Sequence, residues 1–176
     1  IMVVTWSGDR KRYVRDIIRD KLGLMQRTKL IFALYRRWTP IKVLYEEYGM
    51  QTDIESIQWR MEEEKFRFEI QPMGGNMGKE DRIAKLIPPF EQGNIYLPHT
   101  CMRFVEDSGK LEDMTRIFID EEYSVWPFSG HDDMLDTLAR LEDKETGMVY
   151  PMATEGWGAQ HAMRPQVAIG TGEISE

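Results

Sequence analysis

The sequence predicts an α/β domain built on a mixed sheet, and two observations predict it. The chain opens with two strand patterns joined by a turn, and later strand patterns are separated by helical ones. A hairpin is antiparallel, whereas strands linked through helices can lie parallel, so both kinds of pairing belong in one sheet.

The first strand is the apolar, β-branched stretch Ile1-Met2-Val3-Val4-Thr5-Trp6, followed by Ser7-Gly8-Asp9, which is turn chemistry. A second strand pattern runs from Tyr13 to Ile18, giving a hairpin over 1–20. Ile31, Leu34, Tyr35 and Trp38 then fall on one helical stripe within 24–38, closed by Pro40. Ile41 to Tyr45 reads as a short strand. Thr52 or Asp53 can cap a helix with Ile54, Ile57 and Met61 inward. Phe66 to Ile70 alternates like a strand, and Pro72 to Gly78 reads as a loop. Lys79 to Gln92 reads as a helix bent or ended early by Pro88-Pro89, and Asn94 to Leu97 as a short strand. Residues 101–107 carry no clear pattern. Leu111, Met114, Ile117 and Phe118 suggest another helix, and Asp132 or His131 opens a last one with Met134, Leu138 and Leu141 inward. From about residue 144 the periodicity vanishes. The expected organisation is one domain over 1–143 and an extended C-terminal tail over 144–176.

Charge is unevenly spread. The formal charge is −7, from 23 Lys and Arg against 30 Asp and Glu. Residues 1–40 hold ten cations and three acids, so this end is +7 and the remainder −14. A basic end with an acidic remainder suits a protein that grips a polyanion at one place and metal ions at another; solvated faces give the same pattern. Cys101 is the single cysteine, which excludes an intramolecular disulfide and fits a reducing cytoplasm. No apolar run approaches the ~20 residues of a membrane helix. The start at Ile1 reads like the middle of a strand, with the natural chain expected to extend further upstream.

Two acidic clusters could carry chemistry. Glu46-Glu47 follows a strand, at the edge of an α/β sheet where ligands usually bind. His131-Asp132-Asp133-Met134-Leu135-Asp136 opens a helix. Hard divalent cations take carboxylate oxygens, and two such ions about 4 Å apart can hold both oxygens of a phosphodiester exchange. The same acids serve as dipole partners of a helix start or as a solvated strand end. The stretch Gly74 to Arg82, with Lys79 and Arg82 near a helix start, could hold a phosphate or be a plain surface loop.

Three ordered blocks carry a resemblance. They are Val43-Leu44-Tyr45-Glu46-Glu47-Tyr48-Gly49-Met50-Gln51, then Lys79 through Pro98, then Trp126-Pro127 before His131 through Ala139. In order and spacing they resemble the nuclease domain of tailed-bacteriophage large terminase subunits, over roughly residues 1–143. The resemblance implies a ribonuclease-H-like mixed sheet and a two-metal endonuclease (Mg²⁺ or Mn²⁺) that cuts concatemeric double-stranded DNA during viral genome packaging. It further implies the portal protein and the small terminase subunit as partners, with no membrane, and a setting at the procapsid in the host cytoplasm.

By the same resemblance Glu46 is the acid at the end of the strand after the first helix, with Glu47 the alternative register. Asp133 or Asp132 is the C-terminal acid, with His131 a possible auxiliary, and Asp136 is assigned no metal. Arg36, Arg37, Lys79 and Arg82 are the expected DNA contacts. The family's first strand, which carries its first catalytic Asp and lies between the hairpin and the later strands, is expected to be missing from this chain. The rival expectations are a catalytically incomplete DNA- or portal-binding module and another ribonuclease-H-like nuclease such as a resolvase.

Overall fold

The computed structural model describes residues 1–46, 51–75, 77–143, 146–147 and 150–151, together with the backbone of 165–169. The hairpin forms as expected: β1 (Met2–Trp6) pairs antiparallel with β2 (Arg12–Ile17). The Ser7 N–H closes the turn on Lys11 O at 3.0 Å, and Arg10 takes the left-handed conformation with φ 64°. Helix α1 (Leu24–Trp38) ends at Thr39 before Pro40, and Ile31, Phe32 and Leu34 bury its apolar stripe.

Strand β3 (Val43–Glu46) follows, then α2 (Gln51–Glu63) and β4 (Ile70–Met73), which is parallel to β3. A buried polar contact locks this unit. The Tyr45 hydroxyl donates to Asp53 at 2.6 Å, and Arg27 of α1 donates to the same Oδ2 at 2.6 Å. Burial and the Asp53 carboxylate push the Tyr45 phenol up from its ordinary value, so it stays a neutral donor.

The alternating stretch at Phe66 does not form a strand over its length. The strand runs from Ile70 to Met73, into the expected loop. Phe66 and Phe68 instead lie against α1: Phe68 stacks on Tyr35 at 4.3 Å between ring centroids and meets Phe32 edge-on at 5.2 Å. The alternation does put both rings on one side of the chain, but that side packs on a helix.

The expected helix over 79–92 is two short ones, α3 (Lys79–Ala84) and α4 (Ile87–Glu91). Pro88 and Pro89 occupy the first turn of α4, where the missing N–H is no loss. Strand β5 (Ile95–Tyr96) pairs parallel with β2. Residues 101–107 fall in a separate two-stranded ladder of β6 (Met102–Val105) and β7 (Lys110–Asp113). Helix α5 (Met114–Ile117) continues directly into a π-helical segment, Phe118–Tyr123. The last helix is α6 (Asp133–Arg140).

Pro165–Ile169 forms a further strand, β8, and it is central. The main sheet has the order β4-β3-β8-β1-β2-β5. β8 runs antiparallel to β1 and parallel to β3, with Met2 opposite Ala168 and Ala168 opposite Leu44. The sequence signalled only an extended tail here. Between β1 and β3 lie two backbone edges that must find partners, and the tail supplies them. Pro165 lacks a donor and stands first in the strand, where that loss costs least.

The sheet separates two apolar clusters. On one face Val3, Ile31, Phe32, Val43, Tyr45, Ile57 and Met61 pack with α1 and α2. On the other, Met2, Leu44, Ile83, Phe118, Leu135 and Leu138 pack with α3, the π-helical segment and α6. The molecule is thus a mixed α/β fold, and no described helix is long and apolar enough to cross a membrane.

Removing residues 152–176 should expose the edges of β1 and β3 together. Urea unfolding followed by circular dichroism should then show a lower midpoint or lost cooperativity. An unchanged transition would mean that β8 contributes nothing to the sheet.

Candidate functional site

Glu46 is the last residue of β3 and is only 9% exposed. It lies two positions beyond Leu44, so strand alternation aims it at the α6 face. There its carboxylate is ion-paired with the guanidinium of Arg140, whose Nη1 also stands 3.7 Å from Asp143. Among the described residues the buried Nε of Arg140 has no partner.

Helix α6 begins differently from what its sequence suggests. Neither His131 nor Asp132 caps it with a side chain. The capping carboxylate comes from Glu122, in the π-helical segment, whose Oε2 accepts the Met134 and Leu135 N–H groups at 2.9 Å each. Those first-turn N–H groups have no partner within the helix, so an anion there satisfies them and meets the positive end of the dipole. Glu122 is fully buried, and its Oε1 has no partner among the described residues. Desolvation pushes its carboxyl up to about 7, against the pull of the two backbone hydrogen bonds and Arg19.

Acids of α6 and of the residues just before and after it face α3 in three rungs. Lys79 reaches Asp132 at 2.6 Å and Asp133 at 3.0 Å. Arg82 grips Asp136 through two bonds, at 2.5 and 3.0 Å. Lys85 reaches Asp143 at 2.6 Å. Positions 79, 82 and 85 share one helical face by their spacing of three, which explains the match. Exposure falls inward: Lys79, Asp132 and Asp133 are 40%, 27% and 39% exposed, whereas Arg82 and Asp136 are 5% and 14%. Burial works against the charge of Lys79, but its bonds to Asp132 and Asp133 outweigh that and raise its pKa.

The acids therefore stand in two groups. Asp133 and Arg140 are seven residues apart on α6, about 10 Å along the axis. A helical side chain leans toward the N-terminus, so Arg140 carries Glu46 to the level of Asp136. The raised pKa of Arg82 agrees: burial opposes it, and the bonded Asp136, then Glu46 and Asp143, overcome it. Asp132 and Asp133 sit a turn further out, beside the solvent. Among the described residues no three His, Cys, Asp or Glu side chains converge on one point. As they stand, these acids are held by the chain's own cations.

The remaining expected residues scatter. His131 is exposed. Arg36 pairs with Glu64 and lies over Phe66 at 4.9 Å. Arg37 turns the other way, over Trp38 at 5.0 Å. Arg82 is buried against Asp136 and is not presented to solvent, unlike Lys79. Glu47 lies outside the described residues. Sequence reading missed Glu122, Lys85, Arg140 and Asp143. One signal was available for Arg140, a cation within an apolar helix stripe, since a buried cation demands an acid. Comparison with protein-family models, with curated proteins and with solved structures finds no match.

Two outcomes test this geometry. Arg82→Ala should cost roughly 3–5 kcal/mol by leaving Asp136 buried and unpaired, and Arg82→Met with Asp136→Leu should recover much of it. Chemical denaturation would measure both. The raised pKa of Glu122 means that its ionisation opposes folding. Its contribution is fully present below the ordinary carboxyl range and lost as pH rises through about 7. Glu122→Gln should therefore flatten the stability profile between pH 4.5 and 7, by about 3 kcal/mol over that span. Parallel profiles for the two proteins would show that Glu122 does not titrate there.

Proposed function

We propose that this chain is a metal-dependent endonuclease domain of the large-terminase type, acting on double-stranded DNA during viral genome packaging. The observation that carries the reading is the acidic row on one face of the sheet. Glu46 ends β3, and Asp132, Asp133 and Asp136 line the helix packed over it. β8 fills the place between the hairpin and β3 where the resemblance puts the family's first strand. It comes last in the chain, however, and its residues Pro165-Gln166-Val167-Ala168-Ile169 include no acid, so it supplies no counterpart of the family's first catalytic Asp.

The row is closed by its own cations, and the reading requires its outer end to open. An exposed ion pair is worth only about 0–1 kcal/mol, so a ligand can displace the Lys79 rung. Opening it frees two carboxylates and an ammonium at one point, a set complementary to a cation beside a phosphate. Asp132 and Asp133 would then accept Mg²⁺ or Mn²⁺, and Lys79 would turn to the phosphodiester. Glu46 joins them only if Arg140 releases it. Such an ion would supply activated water and a stabilised leaving oxygen. The setting of the reading is the procapsid in the host cytoplasm, with portal protein and small terminase subunit as partners. Another ribonuclease-H-like nuclease, such as a resolvase, would use the same acids on branched DNA.

One observation favours a second reading, a binding module without catalysis: every acid of the row already has a cation, and the Glu46–Arg140 pair is buried. Nicking of supercoiled plasmid with Mn²⁺ separates the two. The nuclease reading expects Asp133→Asn and Glu46→Gln each to lower nicking on the order of 100-fold. Glu46→Gln also leaves Arg140 buried without its partner, so chemical denaturation checks its folding and Asp133→Asn carries the test. Glu47→Gln should retain most activity. Because the strand with the family's first catalytic Asp is expected to be missing from this chain, weak nicking is expected of it, and metal-dependent nicking by the wild-type chain would exclude the binding module. Preference for four-way junctions over linear duplex would point to the resolvase.

A further inference from the structure

The hairpin ladder contains one irregularity. Val3 stands opposite Asp16 and Val4 opposite Val14, so Arg15 is an extra residue in β2. In a regular strand Arg15 and Asp16 would point to opposite faces. A bulge re-aims the side chain at the insertion, and here both residues reach the same indole. Trp38 donates its N–H to Asp16 at 3.4 Å, and the Arg15 guanidinium lies over the Trp38 ring at 5.7 Å.

Two more arginines converge from other elements. Arg37, in the last turn of α1, lies over the Trp38 ring at 5.0 Å and stands 4.0 Å from Asp16. Arg103 of β6 donates to Asp16 from both Nε and Nη2. Asp16 is only 2% exposed, so it anchors the arginines from beneath. Three guanidiniums around one buried carboxylate leave a local charge of +2 on a chain whose total is −7. Arg15 is exposed, and among the described residues no acid pairs with it. The Arg37 side chain is 63% exposed.

We propose that Arg15, Arg37 and Arg103, gathered around Trp38 by the bulge in β2, form a surface that binds the phosphate backbone of nucleic acid. Guanidinium forks match phosphate oxygens in pairs, and an arginine stacked on an indole offers a flat cation on which an unpaired base can lie. A lipid surface fits less well, because Trp38 is half-buried beneath the guanidiniums and the exposed Met102 and Phe104 that flank Arg103 on β6 point to the other face of that strand by alternation. The cluster is a contact distinct from the acidic row. β2 is three strand spacings from β3, about 15 Å, and Trp38 packs on the face opposite Glu46. This inference rests on the nucleic-acid side of the proposed function and not on hydrolysis.

The test is fluorescence anisotropy of a labelled duplex with the full chain, without metal, across a potassium chloride series. Wild type should bind all sequences alike, with affinity falling steeply as salt rises. Arg15→Gln with Arg37→Gln should weaken binding about tenfold or more at low salt and lower the salt slope by about two units, one for each phosphate no longer neutralised. Arg67→Gln, an exposed residue paired with Glu62, should bind as wild type. Thermal melts of the double variant check its folding, since Asp16 keeps Arg103. Wild-type affinity in the folded double variant overturns the surface and leaves the nuclease reading to the plasmid assay. Absence of duplex binding by wild type also overturns it. So does binding to vesicles of anionic lipid that is tighter than binding to duplex and abolished in the same variant.

Discussion

Buried charge must be matched, and on the α6 side of the sheet that constraint organises the structure. Arg82 grips Asp136 with two bonds, Arg140 holds Glu46, and Lys85 holds Asp143. Removing an ion from water costs several kcal/mol, which only close, hydrogen-bonded pairing offsets. Once α6 carries acids on its inner face, α3 must bring cations and Arg140 must turn to β3. The orientation of three elements follows from that matching as much as from the apolar packing around Ile83 and Leu138.

The same matching grades the candidate site. The Arg82–Asp136 and Arg140–Glu46 pairs are buried and geometrically tight, so they behave as structure. Its outer rung, Lys79 with Asp132 and Asp133, is partly solvated and cheap to open. Glu122 sits behind this rung and holds the first turn of α6 through two backbone bonds. A buried carboxyl that costs energy when ionised is an uncommon cap. It fixes the helix start from the core and leaves the two aspartates free to face outward.

Backbone demand shapes the rest of the sheet. β1 and β3 each need a partner on their inner side, and the strand at Pro165–Ile169 satisfies both at once. At the other side of the hairpin a single inserted residue changes what β2 displays. The bulge sends Arg15 to the indole that Asp16 already holds, so a basic cluster forms from residues on three separate elements.

Sequence alone determined the local elements whose signals are local. The hairpin at residues 1–20, the stripe of Ile31 and Leu34 on α1, and a short strand leading into Glu46, read over 41–45 and formed over 43–46, were all legible, because side-chain period and turn chemistry act over a few residues. The acids Glu46, Asp132 and Asp133 were legible as candidates for the same reason. Only the tertiary structure decided who their partners are. Lys79 meets Asp133 across 54 residues and Arg140 meets Glu46 across 94, distances over which no period carries information. It also turned Phe66 and Phe68 onto α1 and drew 165–169 into the sheet. Long-range choices of this kind are made by which buried charge, ring or backbone edge would otherwise go unmatched, and that is a property of the assembled chain.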